Sequence, residues 1–256
     1  MKFNSYTKTS IFCFLSLINQ QNQNLICKET LLPYGNFNAI INFVKSYLPE
    51  NPVILEAGAY CGKQSIIMSK FWPSSIIHSF EPVPKIYNKL KKNTVNYTNI
   101  NCYDYALSDK TGEAAFYMSY EQKQPNFPSQ SNSLLKPKDH LAYSTLMFKE
   151  KITVKTKTID EWAKENNINN IDFFWLNMQG YALNTLIASP EMLKIVKVIA
   201  IEVEFMEIYE NEYIFDDVKR WLTSQEFELA AVNFEPDLKY WFGDAIFIRK
   251  VKESPK

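Results

Sequence analysis

Residues 53–62 read VILEAGAYCG, and HSFEP at residues 78–82 places Glu81 nineteen residues after Gly62. Val53, Ile54 and Leu55 form an apolar run with no polar alternation, the pattern of a strand buried on both faces. Gly58 and Gly62 lack a Cβ, so the chain can turn tightly and let a ligand approach the main chain. A helix through Ser65, Ile66, Ile67 and Ser69 follows the turn. A strand ending in an acid and a glycine turn, then a helix, then a second strand ending in an acid, is how a Rossmann-like sheet holds an adenosine.

The spacing also separates nucleoside ligands from one another. A dinucleotide loop carries G-x-G-x-x-G so that amide groups at a helix N-terminus meet a pyrophosphate. Here Glu56 stands two residues before Gly58, where its charge would repel a diphosphate, and this disfavours a nucleotide-dependent oxidoreductase. The same acid suits a ligand with an ammonium group, such as the amino acid end of S-adenosylmethionine. Glu81 can accept hydrogen bonds from both ribose hydroxyls. The competing reading is an ordinary strand-turn-helix with no ligand, and the second acid weighs against it.

Composition bounds the rest. With 256 residues and 46% hydrophobic content, the chain can bury the core of one large domain with a short extension. The expectation is an arm over residues 1–30 and a single Rossmann-like domain over residues 31–256. Lys plus Arg and Asp plus Glu both number 28, which leaves no net charge to draw the chain onto nucleic acid or an anionic membrane. Cys13, Cys27, Cys61 and Cys102 form no C-x-x-C pair, and with only His78 and His140 no metal site is expected. Ile11 to Ile18 is an apolar run behind Lys2 and Lys8, long enough for a signal-peptide core but too short to span a bilayer. No small-x-small cleavage site follows it, so a cytoplasmic protein is expected, with export through residues 1–27 as the alternative.

Downstream, strands and helices alternate. Phe37 to Tyr47 has amphipathic helical spacing and is stopped by Pro49 and Pro52. Ile76 to Phe80 reads as a strand, Pro84 to Asn93 as a helix and Ile100 to Tyr105 as a third strand. Ala115 to Met118 can pair back across the turn at Ser108 to Gly112 as a hairpin. A polar loop then runs from Tyr120 to Pro137, long enough to be functional or disordered, and Ser131-Asn132-Ser133 within it can reach a ligand. Ile152 to Thr156 is an alternating strand, and Thr158 caps a helix over Ile159 to Glu165 with Glu161 in capping-box register. Ile171 to Met178 and Val196 to Phe205 are further central strands. A helix over Tyr213 to Ser224 and closing strands at Glu228 to Phe234 and Ala245 to Arg249 complete the sheet.

VILEAGAYCG, FEPVP, YALSDKTG, VKTKTIDEW, WLNMQGY and IAIEVEF resemble, in order and spacing, the FkbM-type methyltransferases over residues 52–249. The resemblance implies an α/β fold: a Rossmann-like seven-stranded methyltransferase sheet with helices on both faces and an antiparallel C-terminal hairpin. It implies S-adenosylmethionine as cofactor and O-methylation of a hydroxyl on a small molecule or glycan. By the same resemblance Glu56, Gly58, Ala59 and Gly62 would line the methionine end, Glu81 with Pro82 the ribose, and Asp104, Tyr105 and Ala106 the adenine.

Many relatives carry K-I-D-V-E-G at the end of the fourth strand, where this chain has Asn177 and Gln179. An oxygen nucleophile usually needs a base, and an asparagine amide cannot be one. Asn177 would then position the acceptor while Glu202 or Glu204 takes the proton. Two alternatives stay open: the alcohol loses its proton late to water, or the chain is a cofactor-binding regulatory module that has lost transfer. The plain structural reading of Glu202 and Glu204 is a pair on one strand face with at least one pointing to solvent. Tyr181 and Tyr209 are candidates for the border of the acceptor pocket.

Overall fold

The structure is a computed structural model, and it describes residues 29–138, 145–234 and 242–250. The apolar run at residues 11–18, Cys13, Cys27 and His140 lie outside the described residues. In chain order the first strands are β1 (Thr30–Leu31), β2 (Val53–Ala57), β3 (Ile76–Phe80), β4 (Ile100–Tyr103), β5 (Ala106–Leu107) and β6 (Gly112–Glu121). They are followed by β7 (Gln124–Pro128), β8 (Leu146–Lys157), β9 (Phe173–Leu176), β10 (Val198–Glu204), β11 (Phe227–Asn233) and β12 (Phe242–Arg249). The helices are α1 (Phe37–Val44), α2 (Lys63–Phe71), α3 (Pro84–Thr94), α4 (Ile159–Glu165), α5 (Ala182–Ile187), α6 (Pro190–Ile195) and α7 (Phe215–Ser224).

The main sheet has eight strands in the order β1-β11-β12-β10-β9-β2-β3-β4. From β4 to β10 the strands run parallel, and β12 enters antiparallel between β10 and β11. This is the expected methyltransferase sheet with its reversed final hairpin, extended at one edge by the two residues of β1, which pair parallel to β11. Alternation along the strands sends side chains to two cores. Leu55, Phe174, Leu176, Ile199 and Ile201 face α4, α5 and α7. Ile54, Phe173, Trp175, Val198 and Ala200 face α1 and α2 on the other side. Both faces are therefore covered, which is why these strands read as unbroken apolar runs.

Thr158 caps α4 as its spacing predicts, accepting a hydrogen bond from the Glu161 main-chain N–H at 3.1 Å. The reciprocal half of the capping box is replaced, because the Glu161 carboxylate takes the Thr111 hydroxyl instead.

The region after β4 departs from the sequence reading. Residues 115–118 do not pair back as a hairpin, and residues 120–137 are not one loop. A second, four-stranded sheet forms in the order β5-β8-β6-β7, with β6 antiparallel to both β8 and β7. Pro125 and Pro128 fall in β7, at the sheet's edge, where a missing N–H costs no ladder bond. This sheet packs over α3 through a separate apolar cluster of Val83, Ile86, Ala106, Phe116, Met118, Tyr120 and Val154. No helix among the described residues is long and apolar enough to cross a membrane.

Candidate functional site

A cleft of about 730 Å³, its mouth included, opens at the carboxyl ends of β2, β3 and β9 and is roofed by the second sheet. One wall is Ala57, Gly58, Tyr60 and Gln64, and the next is Phe80, Glu81, Pro82, Ala106 and Leu107. Phe116, Gln130, Asn132 and Leu134 come from the second sheet and its following loop, while Trp175, Asn177, Met178 and Tyr181 form the floor. Its position, at the carboxyl edge of a parallel sheet and at the switch point of strand order, is that of a ligand cleft.

The turn after β2 is built for close approach. Gly58 has φ +82°, and a Cβ there would lie 1.9 Å from the main-chain oxygen of Asn177. The main-chain N–H groups of Gly58 and Ala59 both donate to the Phe80 carbonyl, at 3.1 and 2.9 Å, which locks the turn to the end of β3. Glu81 follows directly. Its Oε1 accepts the Val83 N–H at 2.9 Å and its Oε2 the Tyr60 N–H at 3.1 Å, so each oxygen keeps a lone pair for the cleft. Burial pushes this carboxyl up to about 7 against those two hydrogen bonds. The Tyr60 hydroxyl donates to the Pro128 carbonyl at 2.9 Å, pinning the end of β7 over the cleft.

The floor carries a polar network. Asn177 Nδ2 donates to Glu202 Oε2 at 3.0 Å. Gln179 Nε2 donates to Asn177 Oδ1 at 3.0 Å and also to Glu202 Oε1. The Tyr209 hydroxyl lies 3.1 Å from Gln179 Oε1 and 3.2 Å from the Ser131 carbonyl oxygen, its one proton shared between them. Ser133 Oγ donates to the Gln179 main-chain oxygen at 2.7 Å. Glu202 is paired across the sheet with Asp244, and burial together with that neighbouring carboxyl pushes Glu202 up to about 8. Asp244 is itself pushed to about 7 by burial.

The residues singled out from sequence divide sharply. Gly58, Glu81, Pro82, Ala106 and Asn177 line the cleft. Glu202 sits one hydrogen bond behind Asn177. Glu56 is corrected: it is fully buried, accepts the hydroxyls of Ser65 and Ser79, and lies beneath the turn rather than in the cleft. Burial raises it to about 7 against the hydrogen bonds from Ser65 and Ser79. Ala59 is buried outside the lining. Gly62 serves helix packing, since a Cβ there would meet Leu90 Cδ1 at 2.7 Å. Asp104 is also corrected: β4 ends one residue earlier, and its side chain is exposed, 3.5 Å from Lys155. Tyr105 packs against Phe80 and Tyr103 behind the wall. Glu204 does not point to solvent. It is 2% exposed, and burial and the charge of Glu212 hold it well above the usual carboxylate range.

Of the two tyrosines, Tyr181 lines the cleft while Tyr209 is buried and acts on the floor from behind. Gln64, Phe116, Gln130 and Leu134 were not singled out. Gln64 alone had a signal, its place in the first turn of the helix after the glycines. Among the described residues no cluster of three or more His, Cys, Asp or Glu is arranged to hold a metal ion.

The sheet order and the cleft at its carboxyl edge define a Rossmann-like methyltransferase. Residues 56–229 match the methyltransferase FkbM domain, and the chain belongs to that family. It is an S-adenosylmethionine-dependent methyltransferase. The chain is 28% identical over 182 residues to the 2-O-methyltransferase NoeI of Sinorhizobium fredii, covering 71% of this chain and 74% of that protein. Among solved structures it is similar to magnesium protoporphyrin IX methyltransferase of Synechocystis with bound S-adenosylmethionine, at a TM-score of 0.49 and 9% identity, covering 83% and 77% of the two chains. It is likewise similar to the fibrillarin pre-rRNA processing protein of Methanococcus jannaschii, at a TM-score of 0.49 and 14% identity, covering 80% and 70%.

The cleft fits the cofactor by its own chemistry. Glu81 presents two acceptor oxygens, Gly58 leaves room at the main chain, and Phe80, Pro82, Ala106 and Leu107 are apolar surface, the groups that a ribose diol and an adenine would need.

Proposed function

We propose that this protein methylates a hydroxyl oxygen on a small molecule or glycan. The observation that carries the reading is the floor of the cleft, where Asn177 faces the ligand space and Glu202 stands directly behind it. The printed activity of the Sinorhizobium relative, a 2-O-methyltransferase, points the same way.

Bound S-adenosylmethionine supplies an electrophilic methyl carbon, whose bond to sulfur breaks with its electron pair staying on sulfur as the acceptor oxygen takes the carbon. Glu81 binds the ribose hydroxyls, and the main chain at Ala57 and Gly58 receives the methionine end. Asn177 orients the acceptor hydroxyl through its amide. Glu202 takes the hydroxyl proton: a carboxyl near 8 is basic enough to hold what it receives, and the ionised form that accepts it is about a tenth of molecules at pH 7 and rises with pH. Glu204, packed behind Glu202 against Glu212, tunes that site electrostatically and does not meet the acceptor.

Calorimetry with S-adenosylmethionine and S-adenosylhomocysteine tests the cofactor assignment. Incubation with methyl-deuterated S-adenosylmethionine and a panel of hydroxylated small molecules and saccharides, read by mass spectrometry and NMR, tests the transfer. The expected product carries the label on oxygen. A label found only on nitrogen or carbon would refute O-methylation.

A further inference from the structure

Glu204 and Glu212 are buried acids, 2% and 8% exposed, that stand outside the transfer step. They come from different elements: Glu204 ends β10, and Glu212 lies in the loop between β10 and α7. Their carboxyls hydrogen-bond each other. Two carboxylates have only acceptors to offer, so this contact holds only while one of them carries a proton.

The Glu212 half of the pair is built into the floor. Its Oε2 accepts the Ile208 and Tyr209 main-chain N–H groups at 2.7 and 3.0 Å. Its Oε1 is buried and has no N–H or Ser, Thr or Tyr hydroxyl to serve it among the described residues. That oxygen fills the place of a side chain at Gly180, where an added Cβ would lie 2.3 Å from it. Gln179 and Gly180 have φ 51° and +84°, so the floor passes through two left-handed residues against this carboxylate. An L residue such as Gln179 keeps that conformation only when its surroundings hold it there. The same loop reaches the roof. The Tyr209 hydroxyl meets Gln179 Oε1 and the Ser131 carbonyl oxygen, the Lys138 N–H donates to the Ile208 carbonyl at 3.0 Å, and the Glu210 N–H donates to the Lys136 carbonyl at 2.8 Å. Glu212 therefore joins floor, loop and roof at one point, and Glu204 ties its side chain to β10.

The titratable groups around the pair are acids: Glu202 on the same strand, Asp244 opposite Glu202 on β12, and Glu207 with the Tyr209 phenol on the loop. Lys136 and Lys138 at the rim pair with Glu210 and Glu207. Burial first, then the charges of Glu212 and Glu202, push Glu204 well above the usual carboxylate range, while burial brings Glu212 to about 7. The proton between them therefore rests on Glu204 at neutral pH and leaves as pH rises. We infer that Glu204 and Glu212 are positioning residues that share one proton, and that this proton clasps the loop after β10 beneath the floor and keeps Gln179 in place for transfer. Without it two like charges face each other in a buried site, which drives them apart; the loop moves off β10 and Tyr209 releases Gln179. The role in transfer rests on the proposed O-methylation, whereas the shared proton does not.

Hydrogen exchange of the full chain, read by mass spectrometry on peptides spanning residues 205–213, tests the clasp without an acceptor. Corrected for the intrinsic pH dependence of exchange, protection of these amides should fall about tenfold or more from about pH 7 to about pH 10. Glu204→Gln, whose amide donates to Glu212 at every pH, should keep the neutral-pH protection throughout. Glu204→Ala, which leaves Glu212 without that donor, should show the low value throughout. On an acceptor identified with labelled S-adenosylmethionine, kcat/KM should fall again beyond the rise due to Glu202 in the wild type and stay level there in Glu204→Gln. A role in packing alone would lower protection and rate by one factor at all pH values. Wild-type protection that does not change with pH would overturn the inference, as would an alkaline loss that persists in Glu204→Gln. Exchange as expected with the label found only on nitrogen or carbon would uphold the clasp and strike O-methylation instead.

Discussion

Gly58→Ala is the substitution whose cost can be worked most directly from the structure. The residue sits at φ +82°, and the added methyl would fall 1.9 Å from the Asn177 oxygen and 3.0 Å from its carbonyl carbon. Alanine in a left-handed conformation costs about 1–2 kcal/mol. The clash comes from main chain just past the ends of two adjacent strands, β2 and β9, so no rotamer change relieves it, and an overpacked contact of this kind costs a further ~1–3 kcal/mol. Together these predict a loss of about 2–5 kcal/mol, or a fall in Tm of about 5–15 °C for a chain of this size. Function should suffer more than stability. The contact must open from 1.9 Å to beyond 3.0 Å, which drags the floor away from the cofactor wall, and a displacement of about 1 Å at a reacting centre costs roughly a hundredfold in rate. Gly35→Ala is the control: it carries the same backbone penalty at φ +66° but has nothing within 4 Å of the added methyl. Thermal melts and calorimetry with S-adenosylhomocysteine on both variants read the two contributions separately. Equal stability loss in the two, with wild-type ligand affinity in Gly58→Ala, would refute the close-approach argument.

Further outcomes are expected on binding, rate and stability. Glu81→Gln should weaken S-adenosylhomocysteine binding by about 1.5–3 kcal/mol by calorimetry, the worth of hydrogen bonds to a charged group; unchanged affinity would remove Glu81 from the ribose site. Methyl transfer should rise with pH through a midpoint near 8 as Glu202 ionises. Glu202→Gln should abolish that rise and slow transfer about 100-fold or more while leaving cofactor affinity in place. Stability should fall as pH rises, because Glu56, Glu81 and Glu212 are held near 7 against an ordinary 4.5 and Asp244 near 7 against 3.8. Between those values the folded chain binds more protons than the unfolded one, so the contribution is whole below about pH 4 and lost by about pH 8. A thermal midpoint that climbs across this window would contradict the burial of these groups. Thr158→Ala should cost about 1 kcal/mol in a denaturant titration, the usual worth of a helix cap.

The central sheet was legible because its strands are buried on both faces. Val53–Ala57, Ile76–Phe80 and Val198–Glu204 have apolar neighbours above and below, so each run announces itself without reference to its partner. The second sheet was not legible. Gln124-Pro125-Asn126-Phe127-Pro128 has neither β-branched residues nor alternation, and it becomes a strand only because β6 lies beside it. Glu56 misled for a related reason: sequence gives the strand's period but not which face looks onto the ligand, and Ser65 and Ser79, which turn it into an interior group, lie on two other elements. Asp104 and Ala106 illustrate the sensitivity of a strand end, where two residues separate a surface ion pair from the cleft wall. The pair Asn177 and Gln179 was visible as a departure from the family pattern. Its sense needed Glu202 and Tyr209, brought beside it from 25 and 30 residues away.

The roof of the cleft has its own apolar cluster, separate from the two cores of the main sheet, and it enters the chain as one uninterrupted insertion between β4 and α4. The lining of the cleft is therefore drawn from two bodies of structure: Phe116, Gln130, Asn132 and Leu134 come with the roof, while Trp175, Asn177, Met178 and Tyr181 come with the main sheet. With a core of its own the roof can open locally at a lower free energy than the sheet beneath it unfolds, so access to the cleft is set by a smaller cooperative unit than the one that holds Glu81 and Asn177 in place.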